Sequence, residues 1–434
     1  MKEPTERPPQ DAWRPLLPGP AAAGRAWEAI EAIAADLSPL AGQAGGSPSL
    51  AAGQAGIALF FAYLDRARPG QGHGETAAAC LETAVEETIE MGDPRPHLYG
   101  GFPGVAWTVE HLGAQLFEME PGDDPGEDAA AAVAEHLARP PATDGSYDLH
   151  GGLVGLGVYA LERLPRPLGQ ECLERVVDGL AATAERQDGR AAWLTPPGQL
   201  VAELRERYPQ GYYNLGLAHG APGVVALLGA ASAAGLPARG LLNEAVDWLL
   251  AQRIEGRESR HAYVAGPGAE PKPARLAWCY GDLSVALALL GAARHAGQAE
   301  WERAALDLAR FAAARPFETS GVVDAGLCHG AGGVLHLFNR ACQATGDPAL
   351  FDAALGWLER TLALRRPGEG LGGFLSFDPD EAGEAAWRPS PGFLTGAAGV
   401  GLSLLAAAAP IEPAWDRVLL TAVPPRDSFS RLSN

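Results

Sequence analysis

The stretch GAGGVLHLFNRA at residues 330–341 decides the fold: a small-residue turn of the form GxxG runs straight into an apolar helix, and the pattern returns along the chain. The other copies read GQAGIALFFAYL from Gly53, GFPGVAWTVEHL from Gly101, GLVGLGVYALERL from Gly152, GAPGVVALLGAA from Gly220, GDLSVALALLGAA from Gly281 and GAAGVGLSLLAAA from Gly396. The fifth puts Ser284 where the others have their second glycine. Helices made of Ala, Leu, Val and Gly on nearly all sides must be covered all round.

Between the copies lie segments of helical spacing with one polar face. In AEWERAALDLARFAAA, Trp301, Leu308 and Phe311 share a side, and Glu302, Arg303 and Arg310 lie opposite. Similar stretches cover about 24–37, 75–90, 127–137, 170–186, 239–252 and 348–364. Each unit is therefore an apolar inner helix with an amphipathic outer one. About seven such pairs closed into a ring leave no exposed end, so the expected fold class is all-α, an α/α toroid. An open superhelix of the HEAT or tetratricopeptide kind is the alternative, but its repeats keep a tighter period than the roughly 50 to 70 residues separating these glycines. The expected organisation is a Pro-rich mobile tail over 1–22, one toroid domain over 23–423 and a C-terminal tail over 424–434. Interruptions rich in Gly and Pro at about 187–214, 256–273 and 366–391 read as loops or small hairpins, and the acidic PGDDPGED from Pro121 as a solvated connection.

A chain of 434 residues, 47% hydrophobic, can bury the core that such a ring needs. No apolar run reaches membrane-spanning length and the N-terminus lacks a signal-peptide stretch, so a soluble cytoplasmic protein with no integral membrane segment is expected. A net charge of -20 repels phosphates and argues against a nucleic-acid partner. Five cysteines are too few for a disulfide framework and suit metal or thiol chemistry in a reducing compartment.

In a ring of equivalent units, residues just before each first glycine gather at one rim. Two places before it stand Ala51, Tyr99, His150, Ala218, Cys279, Cys328 and Leu394; one place before stand Ala52, Gly100, Gly151, His219, Tyr280, His329 and Thr395. Cys279 and Cys328 hold the same position in adjacent copies, and His329 follows Cys328. Two thiolates and an imidazole favour zinc and leave its fourth tetrahedral position open, as in catalytic sites. Cysteines merely packed at helix ends are the bland alternative, but a histidine would then share their register by accident. Cys80, Cys172 and Cys342 fall inside helices and read as small buried residues. His219 is a candidate proton carrier, with helix capping as its competitor, and His150 is a spare for that role. Asp148 can orient the imidazole and Arg275 can hold the aspartate; a cap or a surface ion pair explains either equally well.

These residues resemble the lanthionine synthetase C family, the lanthipeptide cyclases, over nearly the whole chain from about Ser49. WCYGD from Trp278, LCHGAGG from Leu327 and AHGAPG from Ala218 are the most specific parts, with SYDLHGG from Ser146 weaker. The resemblance implies a toroid with zinc at one mouth on Cys279, Cys328 and His329. It implies His219 as catalytic acid or base, with Asp148, Arg275 and Tyr280 near the reacting centre. The implied reaction adds Cys thiols to dehydroalanine or dehydrobutyrine of a dehydrated precursor peptide, leader and core, and makes a lanthipeptide dehydratase a candidate partner. Some bacterial members carry an extra inserted domain; none is recognisable here beyond the interruptions. Two other functions remain open: a relative that transfers glutathione to dehydrated residues, and a zinc-stabilised peptide-binding scaffold without turnover. The Ala-, Gly-, Arg- and Pro-rich composition favours the bacterial cyclase.

Overall fold

The repeat glycines are where the chain doubles back over a helix that has just begun. A computed structural model of the protein describes residues 13–17, 19–92, 95–118, 120, 122–139, 146–255, 258–379 and 384–424. A Cβ added at the second glycine of a copy, Gly56, Gly104, Gly155, Gly223, Gly333 or Gly399, would run into the carbonyl oxygen six residues earlier. Only a missing side chain allows that approach. Where Ser284 takes this place, Gly281 adopts φ 99°, and the serine hydroxyl donates to its carbonyl at 2.9 Å.

The inner helices are α2 (Gln54–Ala67), α4 (Phe102–Leu116), α6 (Leu153–Glu162), α9 (Ala221–Ala233), α11 (Asp282–Ala296), α13 (Ala331–Thr345) and α15 (Ala397–Ala408). Each packs on the next, and α15 packs on α2, so the ring closes. Burial follows: α15 is covered without a break from Ala397 to Ala407. The outer layer is α1 (Pro20–Leu37), α3 (His73–Met91), α5 (Glu127–Ala138), α7 (Pro167–Thr183), α10 (Arg239–Ala251), α12 (Ala299–Ala313) and α14 (Pro348–Ala363). The first of these, α1, lies against α15 and α14, so the chain's first helix serves its last copy. The α/α toroid expected from the repeats is the observed fold.

The interruptions form small β elements. Strands β1 (Glu185–Gln187) and β2 (Arg190–Ala192) make a hairpin, as do β6 (Ser376–Pro379) and β7 (Ala385–Arg388). Between them β3 (Leu194–Thr195), β4 (Tyr212–Asn214) and β5 (Val264–Ala265) form an antiparallel sheet joining the first two interruptions, with Tyr213 opposite both Leu194 and Ala265. A short helix, α8 (Ala202–Arg207), lies between β3 and β4.

Two expectations need correction, and a third lies almost wholly outside the described residues. Residues 1–12 lie outside the described residues, but Trp13 and Leu16 are buried: the Trp13 indole donates to the Ala406 carbonyl at 2.7 Å and the Leu16 amide to that of Ala407 at 2.9 Å. Apolar side chains within the Pro-rich run thus pin it to α15, and α1 begins inside the stretch assigned to the tail. The acidic connection is not simply solvated, since Asp124 takes two hydrogen bonds, at 3.0 and 2.6 Å, from Arg163, which is buried and also paired with Glu110. Of the assigned C-terminal tail only Pro424 is described, and its carbonyl accepts from Arg294 at 3.2 Å.

The last described turn, the 3₁₀ segment Ala414–Leu419, touches residues of five copies and therefore lies inside the ring. Arg417 reaches His111 and Glu162, Trp415 packs on Phe393, and the Val418 and Leu419 carbonyls accept from the Tyr99 hydroxyl at 2.8 Å and the Trp278 indole at 2.9 Å. Asp416 anchors it, fully buried against His336 at 2.9 Å and Arg340 at 2.8 Å. Burial favours the neutral acid, but these two partners prevail and hold its carboxyl below the usual range. Its contribution is therefore complete at neutral pH and lost only as pH falls through that lowered value. Asp416→Ala leaves the buried Arg340 with only the exposed Glu412 as a carboxylate partner and removes the partner of His336, and is expected to destabilise the protein by about 3 kcal/mol, read from urea denaturation at pH 7.

Candidate metal centre

Rim residues are held at one height by backbone hydrogen bonds from copy to copy. The amides of Ala51, Ala218, Cys279, Cys328 and Leu394 donate to the carbonyls of Tyr99, Cys279, Cys328, Leu394 and Ala51 at 3.0, 3.4, 3.2, 2.7 and 3.0 Å. Leu149 donates to Ala218 at 3.2 Å, one residue off this register. All seven inner helices consequently start at this rim, and their N-terminal partial positive charges gather at one mouth, where thiolates are favoured.

Cys279, Cys328 and His329 come together there, with one donor atom from each lying within 4.8 Å of the others. Cys279 is buried and the other two are half-buried. The Cys279 thiol is held well below its usual range, chiefly by a hydrogen bond from Cys328 that outweighs burial, with His329 and Arg275 adding to the effect. The Cys328 thiol is pushed well above that range by the same bond, so the pair shares one proton. The His329 imidazole is raised by its bond to Cys279 against the opposing effect of burial. Two sulfurs on one zinc ion stand about 3.8 Å apart in tetrahedral geometry, so a cluster of this size and softness fits zinc.

His219 stands beside this cluster on the same rim. Its Nδ1 lies 2.7 Å from Asp148 Oδ2, and Asp148 Oδ1 accepts from the Gly151 amide at 2.9 Å. Burial alone would lower the His219 pKa, but the aspartate prevails and raises it; Asp148 is correspondingly lowered although burial opposes this. The Tyr280 hydroxyl accepts from Asn214 Nδ2 at 2.9 Å, and burial raises its pKa, so it keeps its proton at neutral pH. His150 stacks between Tyr99 and His219, each ring centre 5.5 Å away, and burial lowers its pKa, leaving it a poorer proton carrier than His219.

Arg275 departs from the expected role. Its guanidinium lies 3.8 Å from Cys279 Sγ, while the Asp148 carboxylate is occupied by His219 and Gly151. A cation four residues before Cys279 in a tight turn reaches the nearby sulfur, where it stabilises the thiolate. Sequence reasoning also missed Asp378, on β6, whose Oδ1 is 3.9 Å from His329 Nε2, and Asn214, on β4. Neither shares the repeat register, which was the signal that found the other residues. Asp282, which completes WCYGD, is buried and bonds His261 Nδ1 at 2.9 Å and the Arg260 amide at 2.8 Å, tying the second interruption to α11.

A family model described as lanthionine synthetase C-like protein matches residues 46–420. Among solved structures, a nisin cyclase is 20% identical with a TM-score of 0.72, the match covering 90% of this chain and 96% of that one. A sugar epimerase from a ruminal bacterium (9% identical, TM-score 0.43, 88% and 98% covered) and the unsaturated glucuronyl hydrolase of Bacillus sp. GL1 (15%, 0.39, 81% and 98%) also match, too distantly to bear on function. No curated protein matches the sequence. Cys328→Ala is expected to lose bound zinc and His219→Asn to retain it, as read by atomic absorption on the purified proteins.

Proposed function

From the chain's membership of the lanthionine synthetase C-like family we propose that it is a zinc-dependent lanthipeptide cyclase, closing thioether rings in a dehydrated precursor peptide. The observation that carries this reading is the meeting on one rim of a three-donor sulfur and nitrogen set and a histidine oriented by a half-buried carboxylate. A scaffold without turnover has no use for that second feature.

A zinc ion held by Cys279, Cys328 and His329 would supply one thing, a lowered pKa for an incoming cysteine thiol. In the reaction the thiol loses its proton and sulfur bonds to the β-carbon of dehydroalanine or dehydrobutyrine. The π electrons move toward the adjacent carbonyl oxygen, and the α-carbon then takes a proton. His219 delivers that proton from Nε2, since Asp148 occupies Nδ1. The Tyr280 hydroxyl accepts from Asn214 and keeps its own hydrogen free for the enolate oxygen. Arg275 offsets the thiolate charge at Cys279. The substrate arrives already dehydrated, so a dehydratase acts before this enzyme. Cys279 and Cys328 would be exposed to oxidation at this spacing, which suits a reducing cytoplasm.

Mass spectrometry after thiol alkylation tests the reading: a dehydrated peptide incubated with the zinc-loaded protein should become resistant to alkylation at unchanged mass. A glutathione adduct in place of a ring would make the protein a transferase instead. His219→Asn is expected to slow ring formation by about 10²- to 10⁴-fold. Because Asp148 raises the His219 pKa, the proton donor survives to higher pH than an ordinary histidine. Asp148→Asn should therefore move the alkaline limb of the rate profile to lower pH, and an unmoved limb would contradict the pairing.

A further inference from the structure

A cavity of about 490 Å³ opens beside His219, and half of its wall does not belong to the toroid. Asp148, His219 and Tyr280 form one side. The opposite side is supplied by the first interruption, through Thr195 on β3 and by Leu200, Val201 and Leu204 around α8. This flap has a small core of its own, in which Leu200, Tyr208 and Tyr212 pack with Leu204 and Val264 apart from the main core. Its tie to the rim is the β3–β4–β5 sheet and the bond from Asn214 to Tyr280.

Two observations point to an occupant. Val201 is 65% exposed at the cavity edge, an apolar side chain left in water where nothing in the fold requires it. Tyr147, at 3% exposure, also lines the cavity, and its hydroxyl, with Thr195 beside it, makes no hydrogen bond of good geometry. A buried hydroxyl without a partner costs free energy that a peptide carbonyl would recover.

We infer that this cavity is the acceptor subsite, which binds the peptide segment carrying the dehydrated residue, with the Tyr147 hydroxyl on a backbone carbonyl and the Leu200, Val201 and Leu204 flap on an apolar neighbouring side chain. The inference rests on the cyclase reading and adds a specificity to it: dehydrated residues flanked by an apolar side chain are preferred over those flanked by an acidic one. Continuity of the cavity with His219 places the α-carbon of such a segment beside the proton donor.

The test uses an unreactive peptide with alanine in place of the dehydrated residue, so it reports binding without turnover. Fluorescence anisotropy on the full-length zinc-loaded protein compares a labelled peptide bearing Leu at the flanking position with one bearing Asp. The Leu peptide should bind about tenfold more tightly, the scale expected for covering much of one leucine side chain. Val201→Ser should shrink that preference with zinc content and circular dichroism unchanged, and Tyr147→Phe should weaken both peptides about equally. Ile89→Asp, at a site 74% exposed on α3, is the control that should change neither. Equal binding of the two peptides by the unaltered protein, or a preference undiminished in Val201→Ser, overturns the inference. Should the preference behave as expected while the dehydrated peptide fails to cyclise, the subsite stands and the cyclase reading falls.

Discussion

The centre depends on the backbone hydrogen bonds that run around the rim. An amide in one copy donates to the carbonyl at the matching position of the next from Ala218 through Cys279, Cys328 and Leu394 to Ala51 and Tyr99, so the two cysteines lie inside an unbroken series. The Cys279 amide donates to the Cys328 carbonyl at 3.2 Å, so the two sulfurs are neighbours because their backbones are bonded. Side-chain packing alone would leave their spacing to the rotamers of two small residues. The glycines serve the same constraint: each rim residue sits where it does because the following turn passes too close to a helix for a Cβ.

Electrostatics explains why a chain of net charge -20 can hold a thiolate beside a second sulfur. Seven helix N-termini face the mouth, Arg275 lies 3.8 Å from Cys279, and His329 bonds the same sulfur. Asp378 lies 3.9 Å from the imidazole of His329, and the buried Asp324 raises the pKa of both His329 and Cys328. Asp148 is kept from the sulfurs by His219, whose Nδ1 it holds. Positive and negative groups are thus sorted within one rim.

What the sequence disclosed is what repetition made visible. The seven glycine turns, the closed ring and the register that unites Cys279, Cys328, His329 and His219 follow from positions that recur, and periodicity averages over seven examples. What stayed hidden occurs once. Trp13 and Leu16 looked like part of a Pro-rich tail because their partners, the carbonyls at Ala406 and Ala407, lie nearly four hundred positions away along the chain. Arg275 was assigned to Asp148 on charge alone, and only geometry shows it at sulfur. The Ala414–Leu419 segment belongs to no repeat copy; that it lies inside the ring and supports Tyr99 and Trp278 through two carbonyls leaves no trace in side-chain pattern.

This contrast separates two kinds of part. The toroid fixes donors through backbone bonds and close glycine contacts, neither of which tolerates much change, so its motifs are legible and its chemistry is rigid. The flap over His219 is held by a two-residue strand, a six-residue helix and a satellite core of three buried side chains. Few of its contacts reach the main core, so its surface can vary without disturbing the ring. On the cyclase reading proposed above, this division suits a centre that keeps one geometry while its substrate segments vary: the part that sets the chemistry is locked from copy to copy, and the flap is attached to it by a small sheet and the bond from Asn214 to Tyr280.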